Sequence, residues 1–185
     1  MACRGKPDGV IPLGGMTPLI SKKMAGALNA QIGMEFLASL QYEAIAAWFK
    51  LEGLPRLHAH FSVQAQEERE HAHRFIRFVL DAGRGLELPA IPAPKCQFKS
   101  AVEAVQLALN HELKVTKSIQ AICTLAETEK DRFTQNSLQW FIQEQLEEVS
   151  SMDELLQMVD RAGDAGLLFV EHFLASKGGD KREKR

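Results

Sequence analysis

The chain has little of what would mark a membrane-spanning, disulfide-linked or nucleic-acid-binding protein. Its 185 residues contain no uninterrupted apolar run near the length of about 20 residues that a bilayer requires. The formal net charge is only −2, and the three cysteines, Cys3, Cys96 and Cys123, are widely spaced and odd in number. These absences exclude a membrane span and a disulfide framework, give no sign of a nucleic-acid partner and indicate a reducing compartment.

Proline, which interrupts helices, is absent after Pro94. Together with the helix-start residues described next, this absence predicts an all-α protein. Pro18 and Pro55 suit first-turn positions, and Ser100 with Glu103 forms a capping box. We therefore predict helices over about 18–52, 55–82, 100–128 and 131–161, and a short fifth helix over about 165–176 that ends at Gly178–Gly179.

These helices predict one domain over residues 18–178. Residues 1–17, rich in Gly and Pro, are expected to be either a flexible extension or a trimmed organelle leader. The charged residues 179–185 are expected to be a disordered tail.

The segment Gly83 to Lys99 decides the predicted topology. It has seventeen residues and three prolines, far more than two neighbouring antiparallel helices need. A helix of about 28 residues is about 42 Å long, and seventeen extended residues reach about 56 Å. The segment can therefore cross the full length of a bundle, which predicts two helical hairpins joined by one long crossover.

Each of the four long helices carries an acidic residue on an otherwise apolar seam. The seam residues recur at steps of three and four, which places them on one face of a helix. Ionised carboxylates left unpaired in a core cost several kcal/mol each, and no seam supplies an Arg or Lys opposite them. A metal ion bound by carboxylate and imidazole groups is the compensation that fits. The inward polar residues are Glu35, Glu68, His71, Glu112, Gln145 and Glu148.

Glu68 and His71 form a Glu-x-x-His pair, whose spacing lets both side chains bind one ion. In di-iron bundles, two helices each supply a Glu and the other two each supply a Glu-x-x-His. Here the fourth helix offers Gln145-x-x-Glu148 instead of a second such pair.

Four stretches carry these inward residues: Met34–Tyr42 (MEFLASLQY), Gln66–His71 (QEEREH), Asn110–Glu112 (NHE) and Leu138–Glu148 (LQWFIQEQLEE). Through them the chain, from residue 19 to 176, resembles a non-haem, bacterial-type ferritin. This resemblance implies a ferritin-like four-helix bundle whose subunits close into a homo-oligomeric shell of 24 copies that stores a ferric mineral.

The resemblance also implies roles for individual residues. Glu35, Glu68 and His71 would hold one iron, and Glu68 would bridge to a second iron held by Glu112 and Glu148. Gln145 would either bind iron or donate a hydrogen bond. Glu67, Glu144 and Glu147 match a third, nearby iron site, although by position alone they are ordinary surface acids. Tyr42 is either a core aromatic or an electron donor beside the iron pair.

The expected activity is oxidation of iron(II) by dioxygen, or by hydrogen peroxide, in the cytoplasm or in an organelle lumen such as a plastid. Haem binding is not expected, because Arg69 and Glu70 stand where a bacterioferritin has its haem-ligating Met. Two alternatives stay open: a rubrerythrin-like peroxidase or other di-iron oxygenase of low oligomeric state, and a non-enzymatic bundle whose metal only stabilises the fold.

Overall fold

The computed structural model describes residues 17–180, which form four helices and no strand. These are α1 (Lys22–Leu51), α2 (Pro55–Asp81), α3 (Ala101–Thr128) and α4 (Arg132–Asp180). The predicted all-α bundle is confirmed. Most of the predicted extension and tail falls outside the described residues. No described helix combines the length and apolar character that crossing a membrane requires.

The prediction that Pro18 lies in the first turn of α1 was wrong. The helix begins at Lys22, and the Ser21 hydroxyl accepts a hydrogen bond of 2.9 Å from the backbone N–H of Met24. The chain before Ser21 does not join the helix because the N–H of Leu19 bonds the carbonyl of Ala82 at the end of α2 (2.9 Å).

The other predicted helix starts are confirmed. Pro55 is the first residue of α2. Two residues earlier, Gly53 has a φ of 77°, in the left-handed region that favours glycine. Ser100 caps α3 by accepting a hydrogen bond from the N–H of Glu103 (3.2 Å).

α4 is interrupted at Gly163, where φ is 57° and ψ is 179°. The arm that follows is the predicted fifth helix, but it continues through Gly178 and Gly179 to Asp180 instead of ending at 176. Glycine in a helix costs about 1 kcal/mol relative to alanine and does not forbid helical backbone angles. The arm is attached to the start of α2 through Glu171. The buried carboxylate of this residue accepts hydrogen bonds of 2.8 Å from the backbone N–H groups of Arg56 and Leu57.

The crossover between α2 and α3 runs beside α1 in the same direction as that helix. Near the start of α1, Asn29 donates to the carbonyl of Gly85 (3.3 Å). Three turns later, the Gln41 amide exchanges two hydrogen bonds with the backbone of Lys95 (2.8 and 2.9 Å). The loop therefore carries the chain along the bundle, as its length predicted, and brings α3 in antiparallel to α1.

The core consists of two apolar clusters, and a polar layer lies between them. On α1, Ile32 belongs to one cluster, Ala38 belongs to the other, and Glu35 lies between them. On α3 the same division falls between Leu109 and Val115. Because apolar side chains pack tightly on both sides, the polar layer has fixed walls above and below.

Candidate metal centre

The six inward polar residues predicted from the seams meet in this layer. All of them are buried, and the donor atoms of three groups lie within 4.8 Å of one another. Such spacing is short enough for each group to hold one metal ion. The three groups are Glu35–Glu68–His71, Glu68–Glu112–Glu148 and His71–Glu144–Glu148. The first two share Glu68, which is the arrangement that a bridging carboxylate requires.

Glu68 lies at the centre of the layer and is fully buried. Neither of its carboxylate oxygens accepts a hydrogen bond from an N–H or hydroxyl group, and the same holds for Oε2 of Glu35. Buried acceptors without donors are costly in a native core. A cation bound between these oxygens would satisfy them, so the residues present fit a metal pair.

Burial is the main cause of raised pKa values throughout the layer. It raises the pKa of Glu35 well above the usual range, assisted by the charge of Glu68. It raises the pKa of Glu68 in the same way, assisted by Glu112 and Glu148. The pKa of Glu148 rises to about 8, and that of Glu112 is also raised. Without a cation, the layer therefore holds protons that carboxyl groups in water would release.

The carboxylates of Glu112 and Glu148 accept hydrogen bonds from side chains, unlike the carboxylate of Glu68. The hydroxyl of Tyr42, which is fully buried, donates to Oε1 of Glu112. The amide nitrogen of Gln145 donates to Oε2 of Glu112 (3.3 Å) and to Oε2 of Glu148. The predicted proximity of Tyr42 to the centre is therefore observed, and Gln145 turns its NH₂ group towards both carboxylates.

His71 connects the layer to an aromatic group. Its Nδ1 lies 3.5 Å from Glu68 Oε2 and 3.7 Å from Glu148 Oε1, within reach of both halves of the centre. The indole of Trp140 meets the imidazole edge-on, with ring centroids 5.3 Å apart, and the guanidinium of Arg74 lies 3.7 Å above that indole. Trp140 therefore packs against the imidazole, and Arg74 lies over the indole.

The three acids predicted for a third site are not brought together equally. Glu144, half-buried, joins His71 and Glu148 in one of the three groups. Glu67 and Glu147 are exposed, and the carboxylate of Glu67 accepts a hydrogen bond from the Gln64 amide. Among the described residues, no group of three donors contains Glu67 or Glu147.

Two residues of the site were not predicted as functional. Gln31 lies one turn before Glu35 and donates to its Oε1 (2.8 Å). The hydroxyl of Thr116 lies 2.6 Å from the amide oxygen of Gln145. Both lie four residues from a predicted ligand, and this spacing on a helix face was the available signal.

Comparison with known proteins gives a consistent result. A family model described as the ferritin-like domain matches residues 25–162. Ferritin BfrB of Mycobacterium tuberculosis is 40% identical over 153 residues, covering 83% of this chain and 84% of the relative. A bacterial non-heme ferritin of Staphylococcus haemolyticus is 33% identical over 165 residues, covering 88% and 99%.

Among solved structures, an open-pore ferritin from Archaeoglobus fulgidus superposes with a TM-score of 0.81 at 35% identity. The match covers 84% of this chain and 96% of that one. Sequence and fold comparisons therefore indicate the same family.

Proposed function

The chain belongs to the ferritin family, of the non-haem bacterial type, and we propose that it oxidises iron(II) and stores the ferric product inside a cage of 24 copies. The observation that carries the proposal is the buried Glu68, whose carboxylate has no hydrogen-bond donor and is shared by two groups of potential ligands. Carboxylate oxygens with one imidazole are a donor set that iron accepts in both of its oxidation states.

In this proposal the two irons are substrates held side by side. Glu35 and His71 bind the first iron, Glu112 and Glu148 bind the second, and Glu68 bridges them. Each iron(II) gives up one electron, so a pair reduces one dioxygen, with two protons, to the level of hydrogen peroxide. The protein contributes the fixed spacing of the pair and a surrounding apolar core.

The carboxyl groups also exchange protons as iron arrives. Because burial raises the pKa of Glu148 to about 8, this group is mostly protonated at neutral pH before iron binds. A cation displaces the proton, since metal ligands must be deprotonated. Iron uptake is therefore coupled to proton release, and we expect it to weaken as the pH falls.

Tyr42 is proposed as an electron donor beside the second iron. Its hydroxyl bonds Glu112, and burial raises the pKa of the phenol far above its usual range. Tyr42 therefore remains a neutral phenol, able to lose an electron together with its proton. A Tyr42→Phe variant keeps the packing and removes only the hydroxyl, so altered oxidation kinetics would report this role.

A third iron site formed by Glu67, Glu144 and Glu147 is proposed beyond the pair. Glu144 already lies near His71 and Glu148, and the other two acids would have to swing towards it. Replacing all three by Gln should leave the first dose of two irons per subunit nearly unaffected and alter later doses. Repeated aerobic additions of iron(II) measure the oxidation rate of each dose. Unchanged rates for the later doses would mean that the three acids form no iron site.

Exposed apolar side chains on a single subunit support the proposal of a cage. Leu146, Leu168 and Phe169 on α4 are 72%, 74% and 78% exposed. Exposed apolar residues of this size are usual where subunits meet. We place the assembled protein in the cytoplasm, in keeping with the free thiols of Cys96 and Cys123.

The decisive test mixes metal-free protein with two iron(II) per subunit in air. We expect rapid oxygen consumption by a particle of about 490 kDa, which corresponds to 24 chains of 20.6 kDa. A particle of only a few subunits would favour the peroxidase or oxygenase alternative. If oxygen consumption did not exceed that of an iron-only control, the result would favour the non-enzymatic alternative, in which the metal only stabilises the fold.

A further inference from the structure

We propose that Thr116 is a positioning residue that fixes the side-chain amide of Gln145, so that Gln145 presents its NH₂ group and not its oxygen to the metal centre. The inference rests on the proposed function, because it concerns the carboxylates that would hold the second iron. It resolves the question that the resemblance left open, whether Gln145 binds metal or donates a hydrogen bond.

The first step concerns the proton of the Thr116 hydroxyl. This hydroxyl lies 2.6 Å from Oε1 of Gln145 and 2.9 Å from the carbonyl oxygen of Glu112. A helix carbonyl already accepts the N–H of the residue four positions later, which for Glu112 is Thr116 itself. The hydroxyl has one proton for these two acceptor oxygens, and the shorter contact is the one to Gln145. We therefore assign the proton to the Gln145 amide oxygen, across the gap between α3 and α4.

The second step concerns the other end of the amide. With Oε1 on Thr116, the two N–H bonds of Nε2 point at Oε2 of Glu112 and Oε2 of Glu148. When both carboxylates are ionised, as metal binding requires, a flipped amide would place its oxygen against them. Gln145 is only 5% exposed, so water cannot readily relieve such a mismatch. The two carboxylates therefore favour the orientation with Nε2 towards them. The Thr116 hydroxyl completes this orientation by donating to Oε1, which would otherwise be a buried acceptor without a donor.

The third step is what this orientation does to the centre. An amide NH₂ group is a donor only and has no lone pair to offer a metal ion. Held this way, Gln145 ties together one oxygen from each of Glu112 and Glu148 and keeps both carboxylates in place. Removing a hydrogen-bond partner of a metal ligand typically lowers metal affinity or activity by about 10- to 100-fold.

The side chain of Thr116 suits this role. Its branched Cβ leaves few χ1 rotamers, so the hydroxyl is held towards Gln145 at little entropic cost. Valine has nearly the same shape and lacks the hydroxyl, which makes Thr116→Val the direct test. Thr116→Ser restores the hydroxyl, and Thr116→Ala checks that the second methyl of valine causes no separate effect.

Thr124 offers a matched control on the same helix. Its hydroxyl lies 3.1 Å from the carbonyl of Gln120, the same local geometry that Thr116 has with Glu112. Thr124 is exposed, so Thr124→Val removes this local contact at a position that does not face the centre.

The first readout is zinc binding by calorimetry on the assembled, metal-free protein, because zinc does not change oxidation state. Thr116→Val and Thr116→Ala should weaken one of two zinc positions by about 10-fold or more. Thr116→Ser should stay within about threefold of the parent, and Thr124→Val should match the parent.

The second readout is crystallographic and needs no activity. In zinc-loaded parent crystals, Gln145 Oε1 should remain on Thr116; in Thr116→Val crystals it should move to within about 2 Å of zinc or occupy more than one conformer. Parental zinc affinities together with an unmoved amide in Thr116→Val would overturn the inference.

The two proposals can fail separately. If the parent binds zinc in pairs but does not oxidise iron(II), the proposed function fails and the positioning role stands. If the parent binds no zinc at these carboxylates, neutron diffraction from metal-free crystals decides the inference, because it distinguishes the NH₂ group from the oxygen. An amide of Gln145 that keeps its orientation in Thr116→Val then refutes the inference.

Discussion

Replacing Glu148 by glutamine should stabilise the metal-free protein, and the gain should grow with pH. Glutamine keeps the size of the side chain and an oxygen that can accept the hydrogen bond from Gln145. It removes the proton whose loss leaves a buried charge. The effect should therefore appear as a change in the slope of stability against pH.

The sign follows from which state binds the proton more tightly. Burial, assisted by the charge of Glu112, raises the pKa of Glu148 from 4.5 to about 8 in the folded protein. Below pH 4.5 both folded and unfolded chains hold the proton, so the group costs nothing. Between pH 4.5 and 8 only the folded chain holds it, and stability falls as pH rises. At about 1.4 kcal/mol per pH unit, the loss is about 2 kcal/mol at pH 6 and about 4 kcal/mol at pH 8.

Scanning calorimetry of chelator-treated protein from pH 5 to 8 measures this effect. Both proteins should melt at nearly the same temperature at pH 5, and Glu148→Gln should melt about 10 °C higher at pH 8. Subunit assembly contributes equally to both and cancels in the difference. Glu147→Gln, an exposed acid one residue away, is the matched control and should run parallel to the parent.

Parallel melting curves for the parent and Glu148→Gln would refute the reasoning, because they would mean that Glu148 binds its proton equally in both states. A parent that becomes more stable from pH 5 to 8 would also contradict it. Zinc should remove the slope, since a cation replaces the proton and compensates the charge.

Three further outcomes are expected. Glu68→Ala should still assemble, since it removes buried charge, but should lose about 100-fold in initial iron oxidation in stopped-flow measurements; an unchanged rate would contradict the bridging role. Protein expressed with excess haem should have no Soret absorption, because Arg69–Glu70 offers no thioether ligand, and half a haem per subunit would disprove this. Gly33→Ala should lower the melting temperature, since its Cβ would lie 2.3 Å from Cγ of Pro89. Gly26→Ala, with nothing within 4 Å, should not lower it.

The parts of this structure that depend on one helix at a time could be predicted from the sequence. The step of three and four residues placed Glu35, Glu112 and Glu148 on inward faces, and all three are buried in the same layer. The length of the crossover predicted its path, because two neighbouring antiparallel helices need a much shorter connection.

The parts that depend on how two helices are rotated against each other could not. The hydrogen bond between Thr116 and Gln145 joins α3 to α4, and the periodicity within either helix does not fix their relative rotation. The start of α1 was missed for a similar reason. Leu19 bonds Ala82 at the far end of the α1–α2 hairpin, a contact between residues distant in sequence.

The two halves of the proposed metal centre differ in their hydrogen bonding. Around Glu112, donors from Tyr42 and Gln145 fix the carboxylate before any metal arrives, so this half is built in advance. Around Glu68, no amide, imidazole or alcohol group hydrogen-bonds the oxygens, so in the proposed function a cation compensates them. The apolar clusters on either side prevent the carboxylates from separating to relieve their repulsion. In the proposed function, the bundle keeps in its core a layer of carboxylates that is costly without metal, and compensation of this cost contributes to the affinity for iron.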